Sequence, residues 1–265
     1  MNFLSNFFDL LNSLPEDSVY YIALNALLNN RDQLQNASIY DIAEICNVSR
    51  TTINRLFKKL GYKSYKEFRQ DMTRAFGKYS AHNHIIPIQH YNDDEDIVDN
   101  ILGSVEAICA HLRSTIDLKM FSDVLETFHT ARKVRFYSAN LPGIRTMMTN
   151  LAMNGKDARI IELYSEQLID VQRVSLNTVI FCMDIDNLDT FDMRPIFKTA
   201  KDKGATIFMI GHPHHSNYRV YADFYVEGMM LRGSISMQTV ELCFSILSTM
   251  YRSRYMMGSN PKLPN

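Results

Sequence analysis

Apolar residues recur every three or four positions through two short stretches of the N-terminal third. Ile39, Ile42 and Ala43 form the first, with Cys46 one turn on; Ile53, Leu56, Phe57 and Leu60 form the second. Apolar positions at i, i+3, i+4 and i+7 predict a helix with one buried side. The ends are marked as well. Ser38 and Ser49 are natural N-caps, because a hydroxyl there satisfies an orphan backbone N–H. Asn47 tolerates the left-handed conformation that closes a helix, and Gly61 sits where a C-terminal glycine belongs. Ser64 with Glu67 predicts a capping box that opens a further helix at Tyr65. Two short helices joined by a tight turn, followed by a third, are therefore expected. The apolar run from Met1 to Phe8 is interrupted by Asp9 and lacks a basic flank. It reads as a short helix packing on this domain or on a partner subunit, and not as a leader peptide.

Periodicity breaks between Gly77 and Asp96. Gly77, Ser80, His82-Asn83, Pro87 and the acidic cluster Asp93 to Asp96 read as a linker. The expected division is a helical domain over 1–78, a linker over 79–96 and a second domain over 97–265. In the second domain Ile97, Ile101, Val105, Ile108, Leu112 and Ile116 predict a long amphipathic helix, and 118–128 another. Short apolar strands then alternate with helices: strands at 133–138, 158–162, 178–183, 206–211 and 224–226, helices at 144–153, 195–203 and 235–255. That alternation predicts an α/β domain, a parallel sheet flanked by helices. Ligands of such sheets sit at the carboxyl ends of the strands.

Charge changes the picture in one place. The chain has 265 residues and a formal net charge of −1. Yet from Arg50 to Lys78 there are nine basic residues against two acidic ones. No acidic residue stands between Glu44 and Glu67. With the stripe of Ile53, Leu56, Phe57 and Leu60 buried, Thr51, Asn54, Arg55 and Lys58 face the other way, flanked by Arg50 and Thr52. Such a basic surface is a footprint for phosphates, and a helix-turn-helix places its second helix in the major groove of DNA. By position on that helix, Arg50, Thr51 and Arg55 are expected at base edges. Ser49, Thr52, Asn54, Lys59, Lys63 and Lys66 are expected on the sugar–phosphate backbone.

Composition excludes several other classes. At 46% hydrophobic and 22% charged residues the chain is ordinary globular material. No apolar run reaches the roughly 18 residues of a membrane span. Cys46, Cys109, Cys182 and Cys243 are widely spaced in apolar surroundings, as buried reduced thiols of a cytoplasmic protein are. They form no metal-binding spacing, and no cofactor motif is present. The run His212-Pro213-His214-His215 at a strand end reads as a surface loop.

The stretch from Ile39 to Phe68 resembles the helix-turn-helix domain of the RpiR (MurR/RpiR) family of bacterial transcriptional regulators. The resemblance rests on Ser38, Ile42, Ala43, Val48, Ser49, Thr52, Ile53, Arg55, Lys59, Leu60, Gly61, Tyr62, Ser64, Tyr65, Glu67 and Phe68; Leu56 stands where the family has phenylalanine. The second half is similar to the sugar isomerase (SIS) domain of those regulators, which binds a phosphosugar effector and dimerises. Its ligand loops depart from the family pattern. Ser138-Ala139-Asn140-Leu141-Pro142 stands in place of a glycine- and serine-bearing loop, and Met183-Asp184-Ile185-Asp186-Asn187-Leu188, with Asp189 behind it, replaces a hydroxyl-rich one. Carboxylates at Asp184 and Asp186 repel a dianionic phosphate by several kcal/mol.

Three readings of that pocket stay open. It takes an uncharged or cationic ligand; or it takes phosphate through Ser138, Asn140, Arg145 or Thr190; or it is only a dimerisation platform. Ser138, Asn140, Asp184, Asp186 and Thr190 are the candidate effector residues. The expected function is a non-enzymatic, sequence-specific DNA-binding regulator, working as a homodimer or homotetramer on an inverted repeat, with double-stranded DNA as partner. The alternative is a sugar-phosphate isomerase or sugar-binding enzyme carrying an appended helical domain.

Overall fold

A computed structural model describes residues 3–34, 36–77, 93–184, 192–213, 217–231, 234–235 and 237–256. They form two compact units. The first takes in the described residues up to Gly77 together with 162–169 and Asp192; the second takes in 93–161, 170–184 and 193–256.

In the first unit the helices are α1 (Phe3–Ser13), α2 (Val19–Asn29), α3 (Ile39–Ile45), α4 (Arg50–Lys59) and α5 (Tyr65–Gly77). Their ends follow the expected chemistry. The Ser38 hydroxyl accepts from the N–H groups of Tyr40 and Asp41, and the Asp41 carboxylate accepts the Ser38 N–H at 2.7 Å. That capping bond holds the Asp41 carboxyl below its usual range. Between α3 and α4 the chain reverses at Asn47, the one non-glycine residue with positive φ (50°) among those described. Ser49 then caps α4 by accepting the Thr52 N–H at 3.1 Å. Gly61 closes α4 at φ 90°, with the Tyr62 N–H reaching back to the Phe57 carbonyl.

The buried side of α4 holds the unit together. Ile53, Leu56, Phe57 and Leu60 are at most 2% exposed and share a core with Leu24, Leu27, Ile42 and Phe68. The Phe57 ring stacks on Phe68 at 4.1 Å and on Tyr65 at 5.7 Å. Helix α1 adds Phe7 and Leu10 to the core, and its Asn6 amide donates to the Leu60 carbonyl at 2.6 Å. The same amide accepts the Tyr164 N–H at 3.2 Å.

One expected detail changes. The Ser64 hydroxyl does accept the Glu67 N–H, but the Glu67 carboxylate takes the Lys63 N–H at 2.9 Å. The reciprocal half of the capping box is thus displaced one residue toward the N-terminus.

In the second unit, α6 (Asp94–Thr115) and α7 (Leu118–Thr130) precede β1 (Lys133–Tyr137), α8 (Pro142–Met153), β2 (Asp157–Ile160), β3 (Thr178–Asp184), α10 (Arg194–Asp202), β4 (Thr206–Gly211), β5 (Phe224–Glu227) and α11 (Met237–Tyr255). A further helix, α9 (Tyr164–Asp170), lies between β2 and β3 in the chain. The five strands form an all-parallel sheet in the order β2-β1-β3-β4-β5. Fully buried phenylalanines at 128, 136, 181, 208 and 244 centre the core, with the Phe181 and Phe244 rings 4.5 Å apart. Strands β3 and β4 read as near-continuous apolar runs because helices cover both of their faces.

Beneath the sheet edge a buried ion network ties β1 to its neighbours. The Arg135 guanidinium, 4% exposed, meets the Asp157 carboxylate at 2.7 Å and the Asp170 carboxylate at 3.2 Å. The Tyr137 hydroxyl donates to Asp170 at 2.8 Å.

Several expectations need correction. The acidic cluster assigned to the linker is a helix start: Asp93 caps α6, and Asp94, Glu95 and Asp96 fill its first turn, where carboxylates suit the helix dipole. Of the apolar stripe on α6 only Ile108 and Leu112 are buried, while Val98, Ile101 and Leu102 are 54%, 41% and 57% exposed. The last helix starts at Met237, because Ser234–Ile235 pairs with Met230–Leu231 in a two-stranded antiparallel ladder. Cys109 is exposed, unlike the other three thiols. Helices α2 and α9 were not foreseen.

Two stability outcomes follow. Burial pushes the Asp9 carboxyl up to about 7, helped by repulsion from Glu162 and by a hydrogen bond with it. A carboxyl raised above its ordinary 3.8 favours the folded state when protonated, so stability falls as pH rises from about 4 to 7. Thermal unfolding from pH 5 to 8 should show that loss, and Asp9→Asn should flatten it; an unchanged slope in the variant disproves the assignment. At the turn, Asn47→Val should lower stability by about 1–2 kcal/mol in urea titration, whereas Asn47→Gly should be nearly neutral.

Candidate nucleic-acid interface

Helix α4 presents two unlike sides. Opposite its buried stripe, Arg50, Thr51, Asn54, Arg55 and Lys58 are all exposed. Its first turn holds no carboxylate, and Lys58 and Lys59 lie in its last turn, where cations suit the dipole. Lys63 and Lys66 are exposed just beyond it. Of the residues expected on the nucleic-acid backbone, Ser49 and Thr52 are joined to each other by a 2.9 Å hydroxyl–hydroxyl bond. Ser49 also caps the helix, so its hydroxyl already has a structural task. The Lys59 ammonium lies 5.5 Å from the centre of the Tyr20 ring on α2.

A residue the sequence reading passed over stands beside this surface. Tyr40, on α3, is 62% exposed, and the Arg50 guanidinium carbon lies 4.4 Å from its ring centre. Only its helical register with Ile39 could have flagged it, and register alone does not say what an exposed ring faces. Together these groups form a rigid basic helix about as wide as the major groove admits. Their backbone is fixed by caps at both ends.

The strand ends of the second unit are differently furnished. Ser138 is 1% exposed, and its hydroxyl donates to the Ala139 carbonyl at 3.2 Å. Asn140 is exposed and accepts from Arg145 Nε at 3.1 Å. Asp184 is buried at the end of β3, with the Tyr225 hydroxyl 3.4 Å from it and 2.9 Å from the His212 carbonyl. Ser138 and Asp184 thus come to the carboxyl ends of neighbouring strands. Asp186, Asp189, Thr190, His214 and His215 lie outside the described residues.

After β1, helix α8 begins at Pro142, and the Gly143 N–H donates to the Glu241 carboxylate of α11 at 2.9 Å. A side chain at 143 would meet the Glu241 carbonyl at 2.9 Å and Phe244 Cβ at 3.1 Å. Glycine is therefore what lets α8 and α11 approach, and the chain's own carboxylate occupies the positive end of α8. Among the described residues no group of three or more His, Cys, Asp or Glu side chains is arranged to hold a metal, and no helix is long and apolar enough to cross a membrane.

Comparison with known proteins adds identity to the first unit. Residues 22–78 match the helix-turn-helix domain of the rpiR family. An uncharacterized HTH-type transcriptional regulator of Haemophilus influenzae is 18% identical over 204 residues, which is 76% of this chain and 71% of that protein. Among solved structures, the Vibrio vulnificus NanR protein complexed with ManNAc-6P is similar with a TM-score of 0.51 and 17% identity, over 96% of this chain and 92% of that one. The sugar isomerase domain of an RpiR transcription factor from Sphaerobacter thermophilus gives a TM-score of 0.50 at 11% identity, over 60% of this chain and 90% of that one. At these identities the two structures speak to fold: the second unit has the parallel-sheet architecture of a sugar isomerase domain.

Proposed function

We propose that the chain, whose residues 22–78 match the helix-turn-helix domain of the rpiR family, is a DNA-binding transcriptional regulator that reads an inverted-repeat operator as a homodimer or higher oligomer. One observation carries the proposal. The α4 surface bearing Arg50, Thr51, Asn54, Arg55 and Lys58 is solvent-facing and free of carboxylates, and it is fixed against a packed core.

Arg50, Thr51 and Arg55 reach base edges, arginine favouring the O6 and N7 of guanine. Ser49, Thr52, Asn54, Lys59, Lys63 and Lys66 hold the sugar–phosphate backbone and set register. Two copies of α4 about 34 Å apart, or a multiple of that, meet successive major grooves on one face of the duplex. The DNA-binding domain takes in 1–78, the linker ends at the Asp93 cap of α6, and the second domain runs from there to 265; the protein works in the cytoplasm without catalysis.

Pairing falls to the second unit. The stripe of Ile97, Val98, Ile101, Leu102 and Val105 continues the buried face of Ile108 and Leu112 for two turns past the core. A second copy of α6 covers it in antiparallel fashion, since parallel packing would crowd the carboxylates of Asp93, Asp94, Glu95 and Asp96 from both chains.

A small effector, where one acts, binds at the strand ends near Ser138, Asn140, Asp184, Asp186 and Thr190. It shifts the balance between arrangements of the two DNA-binding units. NanR was solved with a phosphosugar, but here a phosphate at the start of α8 would have to displace Glu241 and approach Asp184. An uncharged or cationic ligand fits that electrostatic setting better. A thermal-shift screen of sugar phosphates, free sugars and amino compounds distinguishes the classes.

Selection from random-sequence DNA across a salt series should enrich a small set of inverted repeats with a steep salt slope. No enrichment at low salt defeats the proposal. Arg55→Ala should lower operator affinity roughly 5- to 150-fold, the loss of one arginine–guanine pair, and random-DNA affinity far less. Lys63→Ala should weaken both about equally and reduce the salt slope by about 1. Leu102→Glu should leave a folded monomer by sedimentation, with weakened binding to the full operator and intact binding to a half-site. A variant that remains dimeric rules out α6 as the pairing surface.

A further inference from the structure

We propose that Tyr40, on the first helix of the motif, is a positioning residue that fixes which base Arg50 reads, an inference that rests on the DNA-reading function proposed above. The observation is a cation over a ring: the Arg50 guanidinium carbon lies 4.4 Å from the centre of the Tyr40 ring, and the ring itself is 62% exposed. An exposed aromatic ring at the start of a seven-residue helix adds little to the core, and Tyr40 is absent from it.

Arg50 is in an electrostatically awkward place. It is the first residue of α4, where the helix dipole is positive and a cation is disfavoured. Ordinarily a nearby carboxylate would offset this. Asp41 is committed to the Ser38 backbone at 2.7 Å. Glu44, one turn along α3 from Tyr40, lies within 4 Å of no cation among the described residues, Arg50 included. What faces the guanidinium is the negative face of an aromatic ring, which attracts a cation without neutralising it. The distinction matters for reading bases. A salt bridge would compete with guanine for the same N–H donors, whereas a ring face accepts no conventional hydrogen bond from them and leaves them for a bidentate contact.

The surroundings fit that task. Tyr40, Glu44, Asn47, Val48 and Arg50 border a shallow concavity of about 440 Å³ at the α3–α4 turn. Asn47 fixes the turn and Ser49 fixes the first residue of α4, so the backbones under both members of the pair are rigid. Arg50 is thereby held at the edge of the recognition surface with its rotamer freedom reduced before DNA arrives. Ordering a long side chain in advance favours the specific complex, in which that side chain must be fixed, over random binding, in which it need not be. Arg55, which stacks on no ring among the described residues, lacks this support. The pair assigns the stricter base preference to Arg50 and the looser one to Arg55.

The test uses the full-length protein and the operator that wild type selects. Tyr40→Ala should lower the operator-to-random affinity ratio about 5- to 10-fold, concentrated at the base pair that Arg50→Ala also relaxes. Random-DNA affinity and salt slope should stay unchanged. Tyr40→Phe should behave as wild type, because the ring face is retained. In a double-mutant cycle, Tyr40→Ala combined with Arg50→Ala should lose little more than Arg50→Ala alone. Equal loss on random DNA, with Tyr40→Phe as impaired as Tyr40→Ala, would identify a hydroxyl–phosphate contact and overturn the proposal. Additive losses would overturn it too. Wild type selecting no sequence would defeat the DNA-reading function itself, a failure separable from normal selection with an indifferent Tyr40→Ala.

Discussion

Burying Ile53, Leu56, Phe57 and Leu60 along one side of α4 decides where every cation of that helix goes. A helix cannot turn over without exposing that stripe, and fully burying a leucine or phenylalanine side chain is worth roughly 1.5–3 kcal/mol. The stacked rings of Phe57, Phe68 and Tyr65 add directional preference to that burial. Arg50, Thr51, Asn54, Arg55 and Lys58 therefore face solvent as a consequence of packing. The capping groups finish the job. Asn47 sets the angle at which α4 leaves α3, and Ser49 and Gly61 fix its two ends.

In the second unit the buried charges are paired internally. Arg135 is buried against Asp157 and Asp170, and Tyr137 donates to Asp170. Removing one partner of such a network leaves a buried charge unanswered, which is far more damaging than never having built the pair. The same economy appears at the start of α8, where the Gly143 N–H meets Glu241. A helix N-terminus is a ready place for an anion, and here an anion is already supplied by the chain. The sheet keeps the architecture of a sugar isomerase domain, while Asp184 at the end of β3 and Glu241 of α11 at the start of α8 place carboxylates there.

What could be read without coordinates was what lies close together along the chain. Ser38, Asn47, Ser49 and Gly61 announced helix ends because each works through its own backbone or a neighbour three residues away. Strands β3 and β4 announced themselves as apolar runs. Contacts of long sequence separation left no trace: Glu241 meets Gly143, and Asp9 meets Glu162, with nothing local to predict either pair. Helix α2 was missed because apolar residues surround it almost completely, so no periodic stripe stands out. On α6 the stripe was legible, but its exposure was not, since periodicity records which side is apolar and not how far the core extends beneath it. Cys109 misled for the same reason. The basic surface of α4 was legible residue by residue, whereas the ring under Arg50 belongs to a different helix.

Near-neutrality of the whole chain constrains how that surface can work. With a net charge of −1, no long-range positive field draws the protein to DNA. Attraction is confined to the patch from Arg50 onward and is screened within about 8 Å at physiological salt. A single unit bearing a handful of phosphate contacts then binds weakly, and discrimination must come from base edges. Joining two such units changes the arithmetic, because the second engages at an effective concentration set by the geometry of the pair, provided the groove spacing matches. On the proposed function, pairing through α6 and reading through α4 act as one device: weak local electrostatics would make the spacing of two recognition helices, and not the charge of either, the quantity that selects an operator.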